Sequence, residues 1–253
     1  MFFEKYPEKI WGISTKFMTP DWAPNRIKFR DKILPFYHEE YVAVGKYGTG
    51  SLYDKIKKNI IKLGGKITLK ENIIGLKKDE NRISRVVTNK KTYKIKSNEI
   101  VISTLPINLT SKFLGKKNNL KFRGVCSVYL FYKQDKILPK NHHWLYFDSK
   151  KLLFNRITEN KKLSKYVAPK NHSYLTLEIT YSVGDKFSKI NPKQVIEIIK
   201  NQINSTKLVD NSKLIGADIN YEPYVYPVQF NNYKNEVATI KSFVESFDNL
   251  FSL

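Results

Sequence analysis

GKYGTGSLYDKIKKNIIKLGGKITL, residues 45–69, holds the change of rhythm from which the fold class is read. Leu52, Ile56, Ile60 and Leu63 recur at helical spacing and form one apolar stripe, so a helix is expected from about Ser51 to Leu63. Gly64-Gly65 closes it, because glycine adopts the left-handed turn that ends many helices. Beyond the glycines the apolar period falls to two. Strands are expected at Lys66–Leu69, Ile73–Lys77, Arg82–Thr88, Tyr93–Ile95 and Glu99–Ser103, with polar turns such as Asp79-Glu80-Asn81-Arg82 between them. A helix followed by strand, hairpin and strand reads as α/β.

Upstream, Thr19-Pro20-Asp21 has the form of a helix start, Thr as N-cap and Pro in the first turn, leading into residues 21–33 with Trp22, Phe29 and Ile33 on one face. Tyr41–Val44 alternates. Downstream, the polar, glycine-containing stretch Gly115–Asn119 marks a change of domain, after which longer aromatic-rich strands are expected at Val125–Tyr132, Trp144–Phe147, Leu152–Ile157, Ser173–Tyr181 and Leu214–Tyr221. Helices are expected at Pro192–Ile203 and Tyr233–Ser246. Strands covered by helices on one face give an α+β layer. Three parts result: 1–43, a helical lead-in; 44–115; and 116–253.

With 41% hydrophobic and 13% aromatic residues in 253, the chain has material for a buried core and is not disordered in bulk. Its net charge of +22 would ordinarily direct attention to nucleic acid or an anionic membrane. The excess is mostly lysine, in short doublets such as Lys116-Lys117 and Lys161-Lys162, or on the polar side of the 51–63 helix at Lys55, Lys58 and Lys62. That is a solvated surface rather than a phosphate track. No nucleic-acid partner is expected, and loose contact with an anionic membrane stays open. Cys126 is the only cysteine, so no intrachain disulfide can form, and a buried, inert thiol is expected. Glu4 and Pro7 interrupt the stretch where a secretory signal would need an apolar run, so the expected location is the reduced cytoplasm.

Few residues present themselves as chemistry. Gly48 and Gly50 ahead of a helix either let backbone approach a ligand or simply shape a helix start. Thr104 and Pro106 close a strand at its C-terminal end, the edge where open α/β sheets bind ligands, or form a plain turn. Arg156, between Asn155 and Ile157, either reaches a cavity to hold a carboxylate or phosphate or pairs with Glu178 on a neighbouring strand. His142-His143 would point to opposite faces of an extended chain and cannot readily share a metal. The sequence contains no G-x-G-x-x-G, no phosphate-binding Walker loop and no arguable Ser-His-Asp set.

FEKYPEKIWGI, residues 3–13, with Tyr6, Glu8, Lys9, Trp11 and Gly12, followed by Asp21, Trp22, Ala23, Arg26 and Ile27, resembles the flavin amine-oxidase superfamily, most nearly its bacterial protoporphyrinogen-oxidase-like branch. The resemblance runs from about Phe3 to Leu253. It implies a partial FAD/NAD(P)-binding-like domain, of which 44–115 is the later half, and a substrate domain at 116–253 built on a mixed sheet covered by helices. It further implies FAD as cofactor, with Gly48 and Gly50 near the flavin, the Ile73 main chain at the adenine, and Thr104 and Pro106 at the cofactor boundary. Tyr226, in Tyr224-Val225-Tyr226-Pro227, would line the cavity for a small-molecule substrate. The implied reaction is hydride removal from a C–N or C–C bond, which needs no protein nucleophile. A mutase-like enzyme acting on a nucleotide sugar is the alternative within the superfamily, and would call on Arg123 and Arg156 for a pyrophosphate. Because the dinucleotide motif and the family's terminal Gly-Arg-x-Gly are not in the sequence, the chain is expected to be an interior piece of such an enzyme or a remnant of one, holding FAD weakly on its own.

Overall fold

The computed structural model describes residues 2–21, 46–139 and 142–253. The helix expected over 21–33 and the alternation at 41–44 lie outside these, apart from Asp21. In chain order the elements are α1 (Phe2–Trp11), α2 (Gly50–Lys62), β1 (Ile73–Asp79), β2 (Arg82–Thr88), β3 (Thr92–Lys94), β4 (Val101–Ser103), α3 (Ile107–Phe113) and β5 (Phe122–Tyr132). There follow β6 (Trp144–Tyr146), β7 (Arg156–Glu159), β8 (Ser173–Tyr181), α4 (Pro192–Ser205), β9 (Leu214–Pro227), α5 (Tyr233–Glu245) and β10 (Leu250–Ser252). They gather into two compact units, one of Met1–Gly65 with Phe122–Tyr226, the other of Lys66–Lys121 with Pro227–Leu253. The first unit thus includes α2, which the sequence division had grouped with the strands after it.

The first unit is organised by a five-stranded sheet in the order β6-β7-β8-β5-β9. Strand β8 buries every second residue, Ser173, Leu175, Leu177, Ile179 and Tyr181. Across the register these face Tyr132, Leu130, Val128, Cys126 and Gly124 of β5, so one side of both strands is continuous core. Helix α4 covers that side with Val195, Ile199 and Ile203, one stripe at a spacing of four. Its start is fixed by Pro192 in the first turn and by the Asn191 side chain, which accepts from the Lys193 N–H at 2.9 Å.

Glu159, fully buried at the end of β7, accepts from the Ile137 and Leu138 N–H groups at 2.9 Å each, from the Ser173 hydroxyl at 3.0 Å, and pairs with Lys162 at 3.2 Å. A buried carboxylate survives only when so satisfied, and here it ties the loop after β5 to the sheet.

The second unit joins the antiparallel meander β1-β2-β3 and the parallel pair β4-β10 around Leu76, Ile83, Leu114, Ile240, Val244, Phe247 and Leu250. Asn249 is the strut between them. Its buried amide exchanges hydrogen bonds with the Ile83 main chain at 2.8 and 3.0 Å, while its carbonyl accepts from the Val101 N–H at 2.8 Å.

Three expectations are corrected, and a further finding concerns the exposure of α2. The sheet of the 116–253 region is antiparallel rather than mixed: β5 pairs β8, β6 pairs β7 and β7 pairs β8 in antiparallel register. Lys133 N–H meets the Lys213 carbonyl while Gly124 lies beside that of Glu222, so β9 opposes β5 as well. Residues 66–69 form no strand, since a strand needs a neighbour for its alternate N–H and C=O groups, and Ile67 and Leu69 are exposed. Residues 152–155 are a loop, and the strand begins at Arg156. The α2 stripe is not core: no α2 residue is buried among the described residues.

Candidate functional site

The sheet face opposite α4 carries the polar residues. Register places Tyr146 beside Arg156, Arg156 beside Glu178 and Glu178 beside Ser127, a row crossing four strands. Strand alternation explains the row, because the neighbours Ile157, Leu177, Ile179, Cys126 and Val128 point into the core. Helix α1 lies against this face. The Thr180 hydroxyl donates to the Lys9 carbonyl at 2.8 Å, and Arg123 Nε and Nη2 donate to the carbonyls of Ile10 and Thr180 at 3.1 and 3.0 Å. Lys9 extends its ammonium to the carbonyls of Phe147, Ser149 and Phe154 at 3.3, 3.0 and 2.6 Å, and burial pushes its pKa down to about 8.

So fixed, α1 sets the Tyr6 ring edge-on to Tyr146, with centroids 5.3 Å apart and planes at 75°. Burial and the neighbouring Tyr146 push the Tyr6 phenol well above the usual tyrosine range, so it stays a neutral donor. Tyr226 is half-buried and lies within electrostatic reach of both Tyr6 and Arg156. Arg156 pairs with Glu178 through Nη2. Burial works to lower the Arg156 pKa, but the hydrogen bond and charge of Glu178 outweigh it and the net shift is upward. Arg156 Nε is buried with no hydrogen-bond partner among the described residues.

Two predicted residues, Arg156 and Tyr226, thus come together in the first unit, and the structure realises the Arg156–Glu178 pairing. Arg123, offered for a pyrophosphate, is instead held by main-chain carbonyls and the Ser182 hydroxyl. Gly48 and Gly50 are in the same unit: Gly48 has φ +92°, which suits glycine, and Gly50 opens α2 with no atom within 4 Å of where a Cβ would stand. Ile73, Thr104 and Pro106 belong to the second unit. Thr104 is exposed just past the C-terminal end of the parallel pair, Pro106 precedes α3, and Ile73 starts β1 half-exposed beside a register shift. Tyr146 and the anchoring role of Lys9 escaped the sequence reading. Tyr6 and Lys9 stand three apart, a same-face helical spacing, but Pro7 between them masks the helix. Among the described residues no group of His, Cys, Asp and Glu is placed to hold a metal ion, and no helix is long and apolar enough to cross a membrane.

No family model matches the chain, and no curated protein matches it. Solved structures do. A reduced UDP-galactopyranose mutase superposes with a TM-score of 0.75 at 18% identity, over 99% of this chain and 57% of that one. A putative protoporphyrinogen oxidase from Exiguobacterium sp. 255-15 superposes with a TM-score of 0.63 at 12% identity, over 81% of this chain and 45% of that one. At these identities the likeness shows a shared fold, and this chain spans little more than half the length of the first structure.

Proposed function

We propose that this chain is the substrate-facing portion of an FAD-dependent enzyme of the flavin amine-oxidase superfamily, acting on a small ring-bearing or acidic molecule. The observation that carries the reading is the row Tyr6, Tyr146, Arg156, Glu178 and Tyr226, set on one sheet face of a fold shared with a UDP-galactopyranose mutase and a putative protoporphyrinogen oxidase. Both kinds of enzyme fall in the superfamily that residues 3–13 resemble.

The residues present fit the cofactor in part. Gly48 and Gly50 leave open backbone at a helix start, and Thr104 and Pro106 stand at the C-terminal edge of parallel strands, where a dinucleotide is commonly bound. Thr104 and Pro106, with the Ile73 main chain of the same unit, would meet FAD, which when bound supplies hydride acceptance. The chain's own side chains do the rest. The tyrosines offer ring faces, the buried Arg156 Nε offers a donor to a carboxylate or phosphate oxygen, and Glu178 holds the guanidinium. Helix α1 covers part of the row, and Tyr146 keeps 40% of its surface in solvent.

A second reading, a mutase acting on a nucleotide sugar, is supported by the fuller superposition with the mutase, 99% of this chain against 81% for the oxidase. It requires Arg156 to meet a diphosphate without help from Arg123. Calorimetry of the chain with UDP-galactose, repeated with Arg156→Gln, separates the two. Binding that weakens about tenfold or more in the variant favours the nucleotide-sugar enzyme, and no binding favours an oxidoreductase. The flavin reading itself fails if the protein purified from its natural source carries no flavin absorbance and gains none on adding FAD.

A further inference from the structure

The same sheet face holds a second concavity, four residues along β8 from Glu178 and so about 13 Å away at the usual strand rise. It is a groove of about 510 Å³, floored by Tyr129, Phe131 and Tyr174 and walled by Val167, Pro169 and Ile215. That volume is of the size that encloses small ligands, about 300–1,000 Å³. Tyr174 meets Tyr129 and Phe131 at centroid distances of 6.4 and 6.2 Å and angles of 58° and 52°. The rings therefore splay rather than stack and leave faces open. Phe131 and Ile215 keep 37% and 57% of their surface in solvent, apolar area that a ligand could cover.

Two lysines stand beside one wall. Lys46 and Lys165 both sit over the Tyr166 ring, 4.9 and 5.2 Å from its centre, next to the wall residue Val167. The Ser164 hydroxyl donates to the Lys46 carbonyl at 3.0 Å, and Gly48 stands against Val167, so the lysine-bearing turn is fixed to this loop. Neither ammonium meets a carboxylate among the described residues. Asp135, bound to the same loop, is taken by Lys161 at 2.6 Å and by the Asn171 N–H at 2.9 Å.

We propose that this groove is a binding site for a planar aromatic carboxylate, its ring on Tyr129, Phe131 and Tyr174 and its charge toward Lys46 and Lys165, separate from the Arg156 row. Burial, with Tyr129 beside it, raises the Tyr174 phenol, so that ring stays neutral and does not repel an anion. The lysines act through water within a Debye length of roughly 10 Å, which makes the preference for the anion sensitive to salt.

The test is titration of the chain with 2-naphthoate and with the uncharged 2-naphthalenemethanol, followed by ligand-observed NMR. Naphthoate should bind about tenfold more tightly at low ionic strength, and the gap should close in salt. Lys46→Gln with Lys165→Gln should weaken naphthoate alone, and Phe131→Ala should weaken both, with Phe131→Leu restoring the fit if the smaller side chain loosens the fold. Equal binding of the two probes, or indifference to the Phe131 change, overturns the proposal. None of these outcomes depends on flavin or UDP-galactose, so the proposed function and this site can fail separately.

Discussion

Gly12→Ala tests the claim that α1 is clamped over the site by Arg123. Gly12 follows the helix with φ +67°, and a Cβ there would stand 2.9 Å from both Cζ and Nη1 of Arg123. Left-handed backbone alone costs an alanine about 1–2 kcal/mol. The clash adds to this, because the guanidinium has no free direction to retreat: it is held by the Ile10 and Thr180 carbonyls and the Ser182 hydroxyl. Breaking one or two such charged hydrogen bonds costs roughly 2–4 kcal/mol more, so the substitution should cost roughly 3–6 kcal/mol in all. Urea unfolding followed by tryptophan fluorescence reads it, with Trp11 one residue from the change. In an Arg123→Ala background the clash is gone and Gly12→Ala should cost only the backbone part, about 1–2 kcal/mol. The double-mutant cycle therefore has a predicted coupling of about 2–4 kcal/mol, and additivity within about 0.5 kcal/mol would refute the clamp.

Gly124→Ala should destabilise by about 1–3 kcal/mol, since its Cβ would lie 2.6 Å from the Tyr181 ring and 2.8 Å from the Glu222 carbonyl; unchanged stability would show that β5 and β9 can separate freely. Glu159→Gln should cost about 1–3 kcal/mol by leaving two N–H groups and Lys162 to share one carbonyl oxygen, read by the urea midpoint. Cys126, its thiol pushed up to about 12 by burial, should resist iodoacetamide at pH 8 in the folded chain and react fully in urea. Its folded pKa exceeds the unfolded value of 9.0, so the stability it contributes is complete below about pH 9 and is lost as pH rises toward 12. Rising stability across that interval in wild type relative to Cys126→Ala would contradict this.

The sequence was most readable where one face of an element is buried. Ser173–Tyr181 was found to the residue, because strict alternation marks a strand whose register is fixed by a core on one side. Pro192 announced α4, and Gly64-Gly65 the end of α2. Reading failed where tertiary partners decide. Lys66–Leu69 has the alternation of a strand but no neighbour, and Leu152–Asn155 is as apolar as a strand yet bends, with the Leu153 N–H donating to Gln202 at 2.8 Å. The site divided the same way. Arg156 could be named from its neighbours and Tyr226 from the family resemblance, but the place of Tyr146 beside Arg156 depends on a hairpin register that no local signal shows.

Charge at the site follows a different logic from the charge of the whole chain. The chain carries +22, yet the cations of the Arg156 face are individually occupied: Lys9 by three carbonyls, Arg123 by two carbonyls and a hydroxyl, Arg156 by Glu178. The loop beyond them repeats the pattern, with Lys161 on Asp135 and Lys162 on Glu159. A ligand of the proposed Arg156 site would therefore meet fixed donors and ring faces rather than a diffuse positive field. Selection there rests on hydrogen-bond geometry, which is weakly screened by salt, whereas binding at the groove beside Lys46 and Lys165 rests on exposed ammonium groups and is strongly screened. Salt dependence thus tells the two sites apart in a single titration. An acidic ligand whose affinity survives high salt belongs at Arg156, and one whose affinity collapses belongs at the groove.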